Sequence, residues 1–342
     1  MKKALVVILL ILTIMAMLIL PLLSCSPAGV AQTFELKYSN FFPATHQNST
    51  LADSWSKEIE ARTNGQVKIT YYPGGTLTTS AKIYDGVVQG ISDIGMSVLA
   101  YTPGRFPASE VVDLGLGYKT GTSATRVAND FYNKFKPKEF DDVHVLYFHA
   151  HGPGILHMAK NPVSKLEDLS GMKIRSTGIA AYVVKALGAT DVAMGQGDAY
   201  DAMSKGVVDG SVSPMEVLKS WKQAEVAKYT TNCYSVGYTS MMFVVINKDV
   251  WDKFPSDVKK AFTDVSKEWI DKHAAAWDQI DKEGKEYALS LGNSIIELTP
   301  DESARWANAA KVVQADYVAR YKDLPAQDYL DEVIKLRDKY NK

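Results

Sequence analysis

Leu169-Ser-Gly-Met-Lys-Ile-Arg175-Ser-Thr-Gly178 reads as a turn, a short strand and a helix entry within ten residues. Ser170-Gly171 supplies the turn and Met172 to Ile174 the strand, and a helix is expected to begin near Ile179. Arg175 therefore stands at the carboxyl end of a strand, the edge of an open α/β sheet where ligands bind. A guanidinium there offers a planar fork that matches a carboxylate in bidentate fashion. The commonplace alternative is a surface arginine beside an acid, which contributes little.

Upstream, Phe34 to Tyr38 alternates as a strand, and the loop Asn40 to His46 leads into a helix of about 48–63. Leu51, Trp55 and Ile59 fall one helical turn apart on that helix, and Gly65 closes it. Val67 to Tyr71 is a strand, Pro73 to Gly75 a turn, Ser80 to Gln89 a helix and Ile91 to Val98 a strand. This β-α-β-α-β order predicts a mainly parallel sheet covered by helices.

The pattern Y-D-x4-G-x-x-D occurs at Tyr84-Asp85, Gly90 and Asp93, and again at Tyr200-Asp201, Gly206 and Asp209, 116 residues later. Upstream of each copy lies a similar strand, Val67-Lys-Ile-Thr70 and Met172-Lys-Ile-Arg175, so Thr70 is expected to hold the position of Arg175 in the first copy. Val207 to Asp209 is expected to be a strand of the second copy. Two ordered matches predict two similar α/β lobes. Strands at Val143 to His149 and Gly154 to Lys160 carry the chain across, and Tyr234 to Asn247 is a β-rich return. A long helix from Ser256 to about Ser290 follows, with Val258, Phe262, Val265, Trp269, His273, Ala276 and Ile280 on one face. Thr299-Pro-Asp-Glu302 is a capping box that opens a helix to about Tyr321, and a last helix starts near Pro325. Two lobes with a backing helix imply a hinge and a ligand cleft between them.

The chain's 342 residues suffice for two cores, and a formal net charge of −1 provides no basic field for nucleic acid. Lys2 and Lys3 precede an apolar run from Ala4 to Leu23, a secretory signal pattern, although a run of that length could also be retained as an anchor. Leu22-Leu23-Ser24-Cys25 resembles the lipobox of bacterial lipoproteins, so residues 1–24 are expected to be removed, Cys25 lipidated and 25–32 left as a tether. That places the protein in the periplasm, or otherwise outside the cytoplasm, with Cys233 lacking a disulfide partner.

The series Leu166-Glu-Asp-Leu-Ser-Gly-Met-Lys-Ile-Arg175, Leu187-Gly-Ala189, Tyr200 and Gly206-Val-Val-Asp-Gly210 resembles the substrate-binding proteins of TRAP (tripartite ATP-independent periplasmic) transporters. Gly75-Thr-Leu77, Gly90-Ile-Ser-Asp-Ile94 and Asn247 before Trp251 support it. The resemblance implies an α/β, two-lobed periplasmic-binding-protein fold, type II-like, with hinge-linked lobes and a long helix spanning both. Residues 33–153 with about 241–282 form the first expected lobe, and 154–240 with about 283–342 the second. It further implies that Arg175 holds the carboxylate of an organic acid, which the protein delivers to an ion-gradient-driven TRAP permease. Many relatives carry Glu-Pro or Glu-Asn after V-D-G, where this chain has Ser211-Val-Ser-Pro214, so polar contacts to the rest of the ligand are not carried over.

Topology puts Phe41, Phe42, His46, Ser97 and Tyr101 at the cleft-facing ends of the first lobe, with core packing as the rival role for the phenylalanines. Met194 to Gln196, and Ser213 to Met215, take the matching ends of the second, and Tyr238 lies on the return between lobes. Such a lining favours an aromatic or hydrophobic acid. His149 and His151 are candidates for the pocket rim. Arg105 is a second anion contact or a clamp on its own turn, and Trp221 a packing residue or a stacking surface. No metal and no cofactor is expected, because the histidines are not interleaved with carboxylates at ligand spacing. A monomer is expected. An exported hydrolase finds no G-x-S-x-G, H-E-x-x-H or P-loop to support it. A module presenting an organic acid to a membrane sensor remains open, and so does the binding protein of an ATP-driven transporter, against which only the K-I-R to V-V-D-G series argues.

Overall fold

A computed structural model describes residues 33–342; the expected leader, lipidation at Cys25 and tether lie outside the described residues. The first sheet has the order β2-β1-β3-β10-β4, built from β1 (Phe34–Asn40), β2 (Val67–Tyr72), β3 (Ile94–Val98), β4 (Val143–Ala150) and β10 (Met241–Asn247). β1, β2 and β3 run parallel, joined by helices Gln47–Arg62 and Ile83–Val88, while β10 runs antiparallel between β3 and β4. β10 reads Met-Met-Phe-Val-Val-Ile-Asn with six consecutive buried residues, the signature of a strand covered on both faces.

The second sheet has the order β11-β9-β5-β8-β6-β7, from β5 (Ile155–Met158), β6 (Lys173–Ser176), β7 (Thr190–Ala193), β8 (Gly210–Ser213), β9 (Tyr229–Asn232) and β11 (Ser294–Glu297). The strand expected at Val207 to Asp209 begins three residues later, at Gly210, and Val207 stands exposed in the turn before it. Among the described residues Cys233 is a buried free thiol.

The internal repeat is real, but its upstream partner is β1 and not β2. Asp93 and Asp209 each close the same exchange of hydrogen bonds with a strand lysine. Lys37 N–H donates to Asp93 Oδ2 at 2.7 Å and Asp93 N–H to Lys37 O at 3.0 Å; Lys173 N–H donates to Asp209 Oδ2 at 2.8 Å and Asp209 N–H to Lys173 O at 2.7 Å. Two residues beyond each lysine, Ser39 pairs with Gly95 and Arg175 with Ser211 in parallel register. The counterpart of Arg175 is therefore Ser39, not Thr70. The short Lys-Ile match in β2 concealed this, because side-chain similarity carries no hydrogen-bond partner.

Helix Ser256–Ser290 spans both sheets as the periodicity predicted. Its first half packs on helix Gln47–Arg62 and β4, with the rings of Phe262 and Trp55 5.5 Å apart. Its second half packs on the short helix Val217–Ser220, and Lys219 Nζ meets Glu283 at 2.7 Å. Trp277, not Ala276, is its buried residue at that turn. Helix Pro300–Arg320 is capped by Thr299 Oγ1, which accepts Glu302 N–H at 3.2 Å. The Glu302 carboxylate accepts Leu166 N–H instead of closing the capping box.

The last helix, Ala326–Tyr340, was expected with the second lobe but packs on helix Gly121–Phe135 of the first. Tyr329 stands 5.4 Å from the Phe131 ring and 4.7 Å from the Phe135 ring, and Lys134 pairs with Glu332 at 2.7 Å. Among the described residues no helix is long and apolar enough to cross a membrane.

Candidate functional site

The carboxyl ends of β1 and β3 face those of β6 and β8 across a cavity between the two sheets, a place where small-molecule sites commonly form. Arg175 enters it from β6 with 3 % of its surface exposed. Its Nε donates to the Met194 carbonyl at 3.0 Å, and one terminal nitrogen donates to Gln196 Oε1 at 2.9 Å and Ser213 Oγ at 3.2 Å. Ser213 is steadied in turn by Ser211 Oγ at 3.0 Å. Among the described residues no carboxylate lies within ion-pair distance of Arg175. Neutral acceptors fix the direction of the fork without cancelling its charge. A buried charge without a counter-ion costs several kcal/mol, so the arrangement can accept an anion from outside the chain.

Much of the remaining wall is apolar and aromatic. Phe41 and Phe42 stand 4.3 Å apart, and Trp221, Trp277, Tyr238, Val98 and Met242 complete it. The Tyr238 hydroxyl donates to Val212 O at 2.9 Å, leaving its ring to the cavity. Burial pushes the Tyr101 and Tyr238 hydroxyls above the usual phenol pKa, so both stay neutral.

Polar and close contacts cross the cleft. Tyr101 Oη accepts Gln196 N–H at 3.0 Å. His46 Nδ1 accepts the Asn48 N–H as the helix N-cap, which leaves the proton on Nε2, and Nε2 donates to Glu216 Oε2 at 3.2 Å. Gly178, at φ +53°, lies so close to the first lobe that a Cβ built there would stand 2.7 Å from the Ala100 Cβ.

The expected site residues sort cleanly. Arg175, Phe42, Tyr101, Ser213, Tyr238 and Trp221 line the cavity, together with His151. Burial, aided by the Arg175 charge, pushes the His151 imidazole down to about 4. His46 stacks on Phe42 at 4.1 Å and reaches the site through Glu216. Met194 contributes its carbonyl.

Four residues fall elsewhere. Ser97 points to the other face of β3, where its hydroxyl donates to Ser80 O at 2.8 Å; strand alternation gives the cavity Val98 instead. His149 lies behind the wall, accepting Trp277 Nε1–H at 3.0 Å and stacked on His273 at 4.2 Å. Met215 is buried against the long helix, between the cavity residues Pro214 and Glu216. Arg105 is no anion contact of the cleft: it pairs with Asp142 on the outside of the first lobe, over the Tyr84 ring at 4.4 Å. Among the described residues no cluster of His, Cys, Asp or Glu could hold a metal ion.

Glu216, Trp277, Thr177 and Ser240 line the cavity without having been singled out. Glu216 had one signal, an acid two residues after Pro214 at a strand end. Trp277 was hidden because Ala276 satisfies the same helical spacing.

The sequence profile of the bacterial extracellular solute-binding proteins, family 7, matches residues 38–320. The C4-dicarboxylate-binding periplasmic protein DctP of Rhodobacter capsulatus is 26 % identical over 310 residues, 87 % of this chain and 90 % of that protein. A TRAP periplasmic solute binding protein from Desulfovibrio salexigens is 33 % identical with a TM-score of 0.80, covering 90 % of this chain and 96 % of that one. That crystal structure is an open complex with the C-terminus of a symmetry mate in its ligand binding site. A TRAP periplasmic solute binding protein from Bordetella bronchiseptica, with bound (R)- and (S)-mandelate, is 27 % identical with a TM-score of 0.83, covering 89 % of this chain and 99 % of that one.

Proposed function

The chain belongs to the bacterial extracellular solute-binding proteins of family 7, and from that premise we propose that its cleft takes an aromatic or comparably apolar organic acid by the carboxylate and delivers it to a TRAP permease. It is a TRAP solute-binding protein for carboxylate ligands. The observation that carries the finer reading is the Arg175 guanidinium, 3 % exposed, free of any carboxylate among the described residues and facing an aromatic wall. The Bordetella relative's mandelate, an aromatic acid, supports that class. So does the chain terminus in the Desulfovibrio relative, which brings a carboxylate into a binding site.

The geometry supports a division of labour. Arg175 pairs with the carboxylate, with Gln196, Ser213 and the Met194 carbonyl holding the fork in plane. Tyr101 and Phe41 come from the opposite lobe and close over it. Closure excludes water, which strengthens the ion pair. The two bodies act as one unit of capture, and the closed form is what the permease meets at the membrane. A leader of the type read at residues 1–24, with lipid on Cys25, would hold the protein outside the cytoplasm at that membrane.

Titration calorimetry of wild type and Arg175→Ala against aromatic and aliphatic acids tests this. Wild type should bind aromatic acids most tightly, and the variant should lose about 100-fold or more. Unchanged affinity in the variant would overturn the anchor.

A further inference from the structure

Beyond the anchor, the cavity holds a second polar group that the carboxylate does not use. Glu216 lines the cavity and is itself buried. Its Oε2 accepts from His46 Nε2–H at 3.2 Å, and its backbone N–H donates to Asp281 Oδ1 at 2.9 Å, which ties the residue to the long helix. Among the described residues no donor reaches its other oxygen, Oε1, and no hydrogen bond joins Glu216 or His46 to Arg175, Gln196 or Ser213. On the same wall Trp221 presents an indole whose Nε1–H is shut off from solvent and has no acceptor. The indole donor is thus buried and unsatisfied, and Glu216 keeps one oxygen that no protein donor reaches.

We infer that Glu216 and Trp221 select a hydroxyl group on the ligand, so that the ligand class is a hydroxylated aromatic acid. A hydroxyl donates one hydrogen bond and accepts others, and so can satisfy Glu216 Oε1 and Trp221 Nε1 together. An ammonium cannot accept from the indole. An ether or a halogen cannot donate to the carboxylate, and leaves Glu216 Oε1 without a donor. That asymmetry gives discrimination: a site built to bond a hydroxyl rejects the analogue lacking it far more strongly than an apolar pocket rejects a missing methylene. His46 Nε2–H and the Asp281 bond keep the carboxylate of Glu216 in place, so its aim is set before ligand arrives. The inference rests on the carboxylate reading of Arg175.

The test is calorimetry with a series of aromatic acids carrying a hydroxyl at each ring position, each paired with the fluoro compound, which is close in size and cannot donate. Wild type should prefer hydroxyl to fluorine by about tenfold or more at one position at least. In Glu216→Gln that ratio should fall below about threefold; the glutamine carbonyl still accepts from His46, and thermal unfolding reports whether the fold is kept. A wild-type ratio near one at every position overturns the inference, as does a preference undiminished in a folded Glu216→Gln. If the acids bind without a hydroxyl preference and Arg175→Ala abolishes binding, the hydroxyl site alone fails. If no acid binds, the carboxylate reading fails with it.

Discussion

The Tyr101 hydroxyl accepts the backbone N–H of Gln196 at 3.0 Å, and so joins the first lobe to the residue whose side chain steadies Arg175. Tyr101→Phe removes the acceptor and leaves that N–H unpaired in a closed cleft. At about 1 kcal/mol for such a bond, acid affinity should fall roughly fivefold, with thermal stability of the ligand-free protein nearly unchanged. Calorimetry beside a melting curve checks both.

Arg175→Lys keeps the charge but not the fork. A lysine cannot make two parallel bonds to a carboxylate while its carbon stem sits where Nε met the Met194 carbonyl. Affinity should fall by about tenfold or more. Equal affinity for lysine would mean that only charge is read.

Gly178→Ala should act on closure. Its φ of +53° disfavours any residue with a Cβ, and that Cβ would stand 2.7 Å from the Ala100 Cβ across the cleft. Small-angle scattering with saturating acid should show a less compact protein than wild type, and affinity should drop by roughly tenfold.

Gly284→Ala should destabilise the fold through backbone that flanks the cavity residue Glu216. In the long helix a glycine normally costs about 1 kcal/mol against alanine. Here the added methyl would run into the Met215 carbonyl oxygen, backbone that cannot swing aside. The normal gain is thus reversed, and a loss of about 1–3 kcal/mol is expected in urea unfolding.

His157 makes stability depend on pH. Thr230 Oγ1 at 2.9 Å and the Ser213 and Pro214 carbonyls at 3.2 and 3.3 Å fit the neutral ring, and burial pushes the imidazole down to about 4. The unfolded chain takes up its proton near 6.5, so the contribution is complete above that pH and is lost as pH falls towards 4. His157→Gln should therefore show a stability slope between pH 6.5 and 4 that is shallower than wild type by up to about 1.4 kcal/mol per pH unit. Comparing slopes cancels the opposing effect of Asp113 and Asp281, whose carboxyls burial pushes up.

What the sequence made legible follows from periodicity and spacing. The long helix came out as Ser256–Ser290 because a thirty-five-residue amphipathic run has no competing reading. Arg175 was found because a turn, a strand and a helix entry surround it. Ser97 was misplaced by one step of strand alternation, which topology alone does not resolve. β7, β9 and β11 are four residues each, too short to show a period. Arg105 showed no sign of Asp142, its partner 37 residues away. The true counterpart of Arg175, Ser39, needed the hydrogen bonds of Asp93 and Asp209 to be seen.

The whole anchor belongs to one side of the cleft. Arg175 comes from β6, the Met194 carbonyl and Gln196 follow β7, and Ser213 ends β8, so the three acceptors that fix the guanidinium all come from the second lobe. Its counterpart in the first lobe, Ser39, is occupied with Thr78 at 2.7 Å. A complete half-site therefore survives when the lobes part. If encounter needs only that half, the on-rate should follow its exposure and residence time how long the other half stays shut. Unloading at a membrane partner can then proceed by prising away the first lobe alone, with the charge on Arg175 left ready for the next passenger.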